Sequence, residues 1–159
     1  MPRQEKRTAG IAAKHIRSLG FLVRENVGGY GVVGVLRNGS GPTVKLRAEM
    51  DALSILERTN LPYASTVRMR DNDGEEKPVS HACGHDMHVT CLIASLTLLR
   101  SASDEWKGSL VCVFQPNEER GGGAQAMVDD GLYSKGYSPM PDIVLGQHVV
   151  NIRAGYVAI

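Results

Sequence analysis

The sequence predicts an α/β domain: a mixed central sheet with helices on both faces. Three features carry that prediction. Apolar residues recur at three- and four-residue steps near the N-terminus and again in residues 89–100, short Val- and Leu-rich runs lie between and after them, and Gly, Pro and Asn mark the junctions. With 159 residues, 42% of them hydrophobic, the chain has the length of one domain and enough apolar side chains for a core.

Residues 4–19 set Ala9, Ala12, Ala13, Ile16 and Leu19 on a helical period that Gly20 stops. The runs 21–25, 31–37 and 43–50 read as strands, and Asn38-Gly39 between the last two is a turn signal. Residues 70–78, RDNDGEEKP, are charged and turn-rich, which predicts a surface loop. Residues 89–100 carry Leu92, Ile93, Leu96 and Leu99 on a helical period and are expected to pack on the sheet. Residues 109–115 read as a buried strand ended by Pro116, 123–130 as a helix closed by Gly131, 143–149 as a strand, and 156–159 as the start of another. Stopping in an apolar run predicts an unpaired sheet edge, as in a fragment or in a chain whose edge a second copy covers, so a homo-oligomer is one expectation.

Lysine plus arginine number 18 against 17 acidic residues, a net charge of +1, which predicts no strongly basic face and excludes nucleic acid and anionic membrane as expected partners. No apolar run approaches the roughly 20 residues that span a bilayer, and the N-terminus lacks the apolar stretch of a secretory signal. Residues 3–17 are basic enough to resemble a presequence, but Glu5 favours an ordinary amphipathic helix, and a cytoplasmic protein is expected. Three cysteines in such a chain predict free thiols or a metal ligand. Cys91 and Cys112 lie in apolar stretches and are expected in the core, whereas Cys83 has histidines and an aspartate as neighbours.

Two glycine motifs look like cofactor loops. Gly29-Tyr30-Gly31-Val32-Val33-Gly34 matches a dinucleotide fingerprint, but Val35, Leu36 and Arg37 then run into an Asn-Gly turn where a helix is required, so the match is formal. Gly121-Gly122-Gly123 precedes a predicted helix without the Lys-Ser/Thr pair of a P-loop, and is read as a flexible approach that lets backbone come close to a site.

The segment His81-Ala82-Cys83-Gly84-His85-Asp86-Met87-His88 places three imidazoles, a thiol and a carboxylate in eight positions just before a predicted helix, a set suited to a divalent metal. The helix N-terminus is expected to help keep Cys83 deprotonated. No second Cys-x-x-Cys or His-x-x-x-His pair exists, so further ligands must come from distant sequence. Asn117-Glu118-Glu119 follows the 109–115 strand, where open α/β sheets place functional groups, and beside a metal two carboxylates offer one ligand and one base. Taken alone, the pair is an ordinary solvated turn. His148 ends the 143–149 strand region in the same way and is the natural next ligand.

The strings LRAEMDALSI (46–55), NLPYAS (60–65), SHACGHDMH (80–88), FQPNEERGGGAQAMVDDGL (114–132) and VLGQHV (144–149) resemble the N-acyl-amino-acid amidohydrolases, which include hippurate hydrolases and plant auxin-conjugate hydrolases. The resemblance runs in order along nearly the whole chain. It implies a catalytic domain of the zinc aminopeptidase and carboxypeptidase type with a binuclear site for two divalent ions, zinc or manganese. Cys83 would bridge them, His85, Glu119 and His148 would complete the ligands available here, and Glu118 would be the base. Asp51 matches a site-proximal acid of the wider clan, with an acidic turn residue as the alternative, while His81 and His88 are assigned to support. Ser54, Ser80 and Glu49 depart mildly from the pattern, which usually has Pro, Met and Asp there.

The family domain begins earlier, with an Arg-x-x-His segment, and continues into a dimerising lid domain and a closing segment with a further histidine ligand. Residues 1–159 are therefore expected to form a single partial catalytic domain without those parts. The resemblance implies hydrolysis of the amide bond of N-acyl amino acids by a metal-activated water. The alternatives are a catalytically inactive fragment that binds metal or a partner, and a cysteine hydrolase using Cys83 with a histidine.

Overall fold

Seven strands and three helices alternate along the chain in a computed structural model that describes residues 1–71 and 73–158. The first helix, α1 (Lys6–Ser18), buries Ala9, Ala12, Ala13 and Ile16, the predicted stripe, and ends with His15 and Arg17 in a last turn where cations suit the helix dipole. Strands β1 (Leu22–Val27), β2 (Gly31–Asn38) and β3 (Thr43–Glu49) follow. Next come β4 (Arg68–Arg70), β5 (Glu76–Pro78), α2 (His85–Ser101) and β6 (Gly108–Gln115), and the chain closes with α3 (Gly123–Asp129) and β7 (Ile143–Gly146).

The main sheet has the order β1-β2-β6-β3-β7. Its β1-β2 and β2-β6 pairs are antiparallel, while β3 pairs in parallel with both β6 and β7, so the sheet is mixed as predicted. Alternation in β2 and β6 divides two cores. Val32, Leu110, Cys112 and Phe114 face α1 and α2, whereas Val33, Val35, Val111 and Val113 face Met127 of α3 and Leu132. Each fully buried Phe, Ile or Leu there contributes about 1.5–3 kcal/mol by leaving water. Gly34 sits where α1 presses on β2: a Cβ would lie 2.6 Å from Cys112 Sγ and 2.8 Å from Ile16 Cδ1. Packing, not phosphate binding, explains that last glycine of the fingerprint.

Several expectations need correction. Residues 70–78 are not only a loop, because β4 and β5 pair antiparallel at its flanks, with Asp71 accepting the Asp73 and Glu75 N–H groups in the turn; Asn72 lies outside the described residues. Strand β7 stops at Gly146, so His148 lies in the irregular segment beyond it, and all four β7 residues are exposed at the sheet edge. Residues 156–158 form no strand, and Ile159 lies outside the described residues. Cys91 is only half-buried, while Cys112 is fully buried and its thiol is pushed up to about 12 by burial. Among the described residues no helix is long and apolar enough to cross a membrane.

Candidate metal centre

The site is built at the carboxyl ends of β3 and β6 and at the N-terminus of α2. Helix α2 starts at His85, four residues earlier than its apolar period predicts, because Gly84 caps it in the left-handed region with φ of 77°. His85, His88, Val89, Leu92 and Leu96 are its buried residues, one stripe at helical spacing. The two histidines therefore extend the apolar face that seats α2 on the sheet, and that seating carries both imidazoles to the strand ends. Gly84 also admits the segment after β7, since a Cβ there would meet Val149 Cγ2 at 2.3 Å.

Glu49 and Gln115 are register partners at the ends of parallel β3 and β6, so the residues after each leave the sheet side by side. Pro116 ends β6, and Asn117 turns the chain with φ of 52° while its carbonyl accepts the N–H groups of Gly122 and Gly123. A Cβ on Gly123 would lie 1.6 Å from the Pro116 carbonyl oxygen, so the triple glycine serves this close return of backbone. Buried Glu5, just ahead of α1, accepts the Asn117 N–H at 3.0 Å. Glu118 and Glu119 are thereby turned back toward α2.

The structure gathers the other four predicted site residues, Cys83, Glu118, Glu119 and His148, around His85. Cys83, His85 and His148 each offer a ligand atom within 4.8 Å of the others, and so do His85, Glu118 and Glu119. Cys83 Sγ lies 3.3 Å from His148 Nε2, and His85 Nε2 lies 3.7 Å from Glu118 Oε2 and 3.8 Å from Glu119 Oε1. His148 Nδ1 donates to the Val149 carbonyl at 2.6 Å, which leaves Nε2 with a lone pair facing Cys83. Asp51, buried at 1% exposure, accepts the Glu119 N–H through Oδ2 at 3.0 Å and sets Oδ1 3.3 Å from His85 Nδ1. That contact is close but lacks hydrogen-bond geometry, and both atoms count as unpartnered.

A divalent ion fits this donor set. Among the described residues, both ring nitrogens of His85, Asp51 Oδ1 and Glu119 Oε1 are buried without a hydrogen-bond partner. An unpaired buried polar atom costs about 1–3 kcal/mol, and the protein spends that cost four times in one place. Thiolate, imidazole and carboxylate together are the ligand types of zinc and, through the carboxylates, manganese. The α2 N-terminus does not by itself hold Cys83 as a thiolate. Burial first, then Glu119, Glu118 and Glu49, push its pKa up, so deprotonation there depends on a cation to balance the carboxylates.

His81 belongs to none of these groups. It lines a separate cavity of about 970 Å³ with Ser80, Ala82 and Asp86, beneath the start of α1, and none of the predicted ligands faces that cavity. Sequence reasoning did not foresee the Arg47–Glu49 ion pair or the bond that His88 Nδ1 donates to Glu49 at 3.0 Å, although Arg47, Glu49 and Asp51 alternate as one strand face would. Glu49, His85 and His88 form a third cluster with ligand spacing.

Residues 45–154 match the peptidase family M20/M25/M40. Over 142 residues the chain is 44% identical to the hippurate hydrolase of Campylobacter jejuni, covering 89% of this chain and 33% of that protein. It is 34% identical over 148 residues to the IAA-amino acid hydrolase ILR1-like 4 of Arabidopsis thaliana, covering 93% of this chain and 30% of the relative. The fold superposes on the Bacillus subtilis YxeP protein, described as a dinuclear metal binding peptidase from the M20 family, with a TM-score of 0.77 and 29% identity over 93% of this chain and 38% of that one. The chain thus spans about a third of the length of the curated relatives it matches. With a mixed sheet whose strand ends gather a thiol, two imidazoles and two carboxylates, and with this match across most of its length, the chain belongs to peptidase family M20/M25/M40.

Proposed function

We propose that this chain carries the metal-binding part of a hydrolase that cleaves the amide bond of N-acyl amino acids, with Cys83, His85, Glu119 and His148 holding two divalent ions and Glu118 handling protons. The observation that carries the reading is the convergence on His85, whose two buried, unpartnered ring nitrogens lie between Asp51 on one side and Glu118 and Glu119 on the other. Divalent ions bound there would supply Lewis-acid polarisation of the amide carbonyl and acidify a water. Glu118, with 39% of its side chain exposed against 18% for Glu119, stands on the open side of the group. Its carboxylate takes the water proton and returns it to the departing amine. Asp51 anchors the Glu119 amide and so fixes the loop that carries both carboxylates. Hippurate-like substrates are the first choice, since the hippurate hydrolase is 44% identical.

The test is metal content together with hydrolysis of hippurate in the presence of zinc or manganese. Bound metal with turnover supports the reading, and bound metal without turnover favours a metal-binding module. The Cys83–His148 contact of 3.3 Å favours a second reading, a thiol nucleophile paired with an imidazole. Its weakness is the raised thiol pKa. Inhibition by a chelator, with resistance of the metal-loaded protein to a thiol alkylator, separates the two in favour of metal.

A further inference from the structure

The third cluster, Glu49, His85 and His88, has ligand spacing, yet its hydrogen bonds give it a different task. Both nitrogens of His88 are engaged. The Val149 N–H, which can only donate, points at His88 Nε2 from 3.0 Å, so Nε2 must be the acceptor and carry no proton. The ring proton then sits on Nδ1 and is donated to Glu49 Oε2 at 3.0 Å. Glu49 is held in turn by its ion pair with Arg47, whose Nε donates to Gln115 Oε1 at 2.8 Å. Glu49 and His88 are buried at 3% and 1% exposure, so the bond between them is shielded from water, while the Arg47 side chain at the outer end is 32% exposed.

The geometry points to His88 as a positioning residue and not a ligand: protonated on Nδ1, it relays the Arg47–Glu49 pair to the Val149 amide and so holds His148 against the metal site. This rests on the metal-centre reading above. The relay joins the segments that the centre needs, namely the ends of β3 and β6, the first turn of α2 and the irregular segment after β7. That last segment needs an anchor. His148 is exposed, β7 has already ended at Gly146, and Val149 is fixed between the His88 nitrogen and the bare face of Gly84. The rings agree with this arrangement, for His88 and His148 stand edge to face with centroids 4.5 Å apart.

The experiment is a long-range proton–nitrogen NMR spectrum of the histidine rings in the 15N-labelled chain, recorded without metal above pH 7 and again during titration with zinc. The expected result is a neutral His88 protonated on Nδ1 whose nitrogens keep that pattern as zinc is added, while those of His85 and His148 move. A ring protonated on Nε2, or His88 nitrogens that shift to metal-bound positions, would overturn the inference. His88→Leu should weaken zinc binding by about 10- to 100-fold, as loss of a ligand's support does. His88→Gln, which keeps an acceptor near the Nε2 position, should recover part of that loss. With cobalt in place of zinc, the thiolate charge-transfer band of Cys83 should persist in both variants, because the thiol does not depend on the relay. If His88→Leu fails to fold, the spectrum of the unsubstituted chain decides alone. If zinc moves no ring at all, the metal-centre reading fails while the tautomer still judges the relay.

Discussion

Two polar clusters flank the same sheet and are treated in opposite ways. On the α3 side, Lys45 donates to the Tyr133 hydroxyl and lies over its ring, Arg24 donates to Tyr137, and Asp130 accepts from Lys135 and from the Gly28 N–H. None of those atoms is buried and unpaired among the described residues. At the carboxyl ends of β3 and β6, His85, Asp51 and Glu119 keep unpartnered atoms in the interior. On the α3 side the chain pairs the polar groups that serve only the fold, whereas Glu5 Oε2, His81 Nδ1 and Asn117 Oδ1, like the atoms at the strand ends, are buried without a partner among the described residues. Where it leaves them unpaired together, the fold is less stable than it could be, and a ligand is the economical explanation.

The contrast can be broken by substitution. His85→Ala should have the largest effect, a loss of zinc affinity greater than about 100-fold, beyond what residues that merely support a ligand produce. Calorimetric titration of the variant checks it. Next, Glu118→Gln should keep the metal while lowering hydrolysis of hippurate by about 10²- to 10⁴-fold in metal-loaded protein that turns it over, the range general acid–base groups supply. Metal analysis beside initial rates reads both quantities, and unchanged turnover would remove Glu118 from its role. On the other side of the sheet, Lys45→Met should cost about 0.5–1.5 kcal/mol of stability, seen in urea unfolding, and leave zinc affinity unchanged. A loss of zinc binding there would erase the distinction between the two clusters.

The sequence carried the main sheet because its code is periodic. The α1 stripe, strands β2 and β3, and β6 stopped by Pro116 all fall close to their expected limits, although β6 enters the sheet between β2 and β3. What escaped was set by local chemistry without periodicity. The β4-β5 hairpin is charged, with three residues per strand, and is closed by an aspartate turn. The start of α2 hid behind Gly84, a left-handed cap that no Ser, Thr, Asp or Asn announces. Had His85 and His88 been counted with Leu92 and Leu96 as one stripe, their burial on the helix face would have been legible. The ligand candidates and Asp51 were visible as residue types, but the bonds of Asp51 and the Arg47–Glu49–His88 relay join the end of β3 to a helix and a loop far apart from it in sequence.

The smallest expected effect concerns Glu5, whose carboxyl is held above the usual range, first of all by burial. A carboxyl with a higher pKa folded than unfolded adds stability that is complete below its unfolded value, about 4, and is lost as pH rises through the folded value. The melting temperature of the chain relative to Glu5→Gln should therefore fall as pH rises across that window. A difference that grows with pH would contradict the assignment.

The most direct test of the central claim is X-ray absorption at the metal edge of the zinc-loaded chain. The account predicts a sulfur scatterer at about 2.3 Å, from Cys83, beside nitrogen and oxygen scatterers at about 2.0–2.2 Å. A first shell without sulfur, or a chain that retains no zinc after desalting, would contradict it.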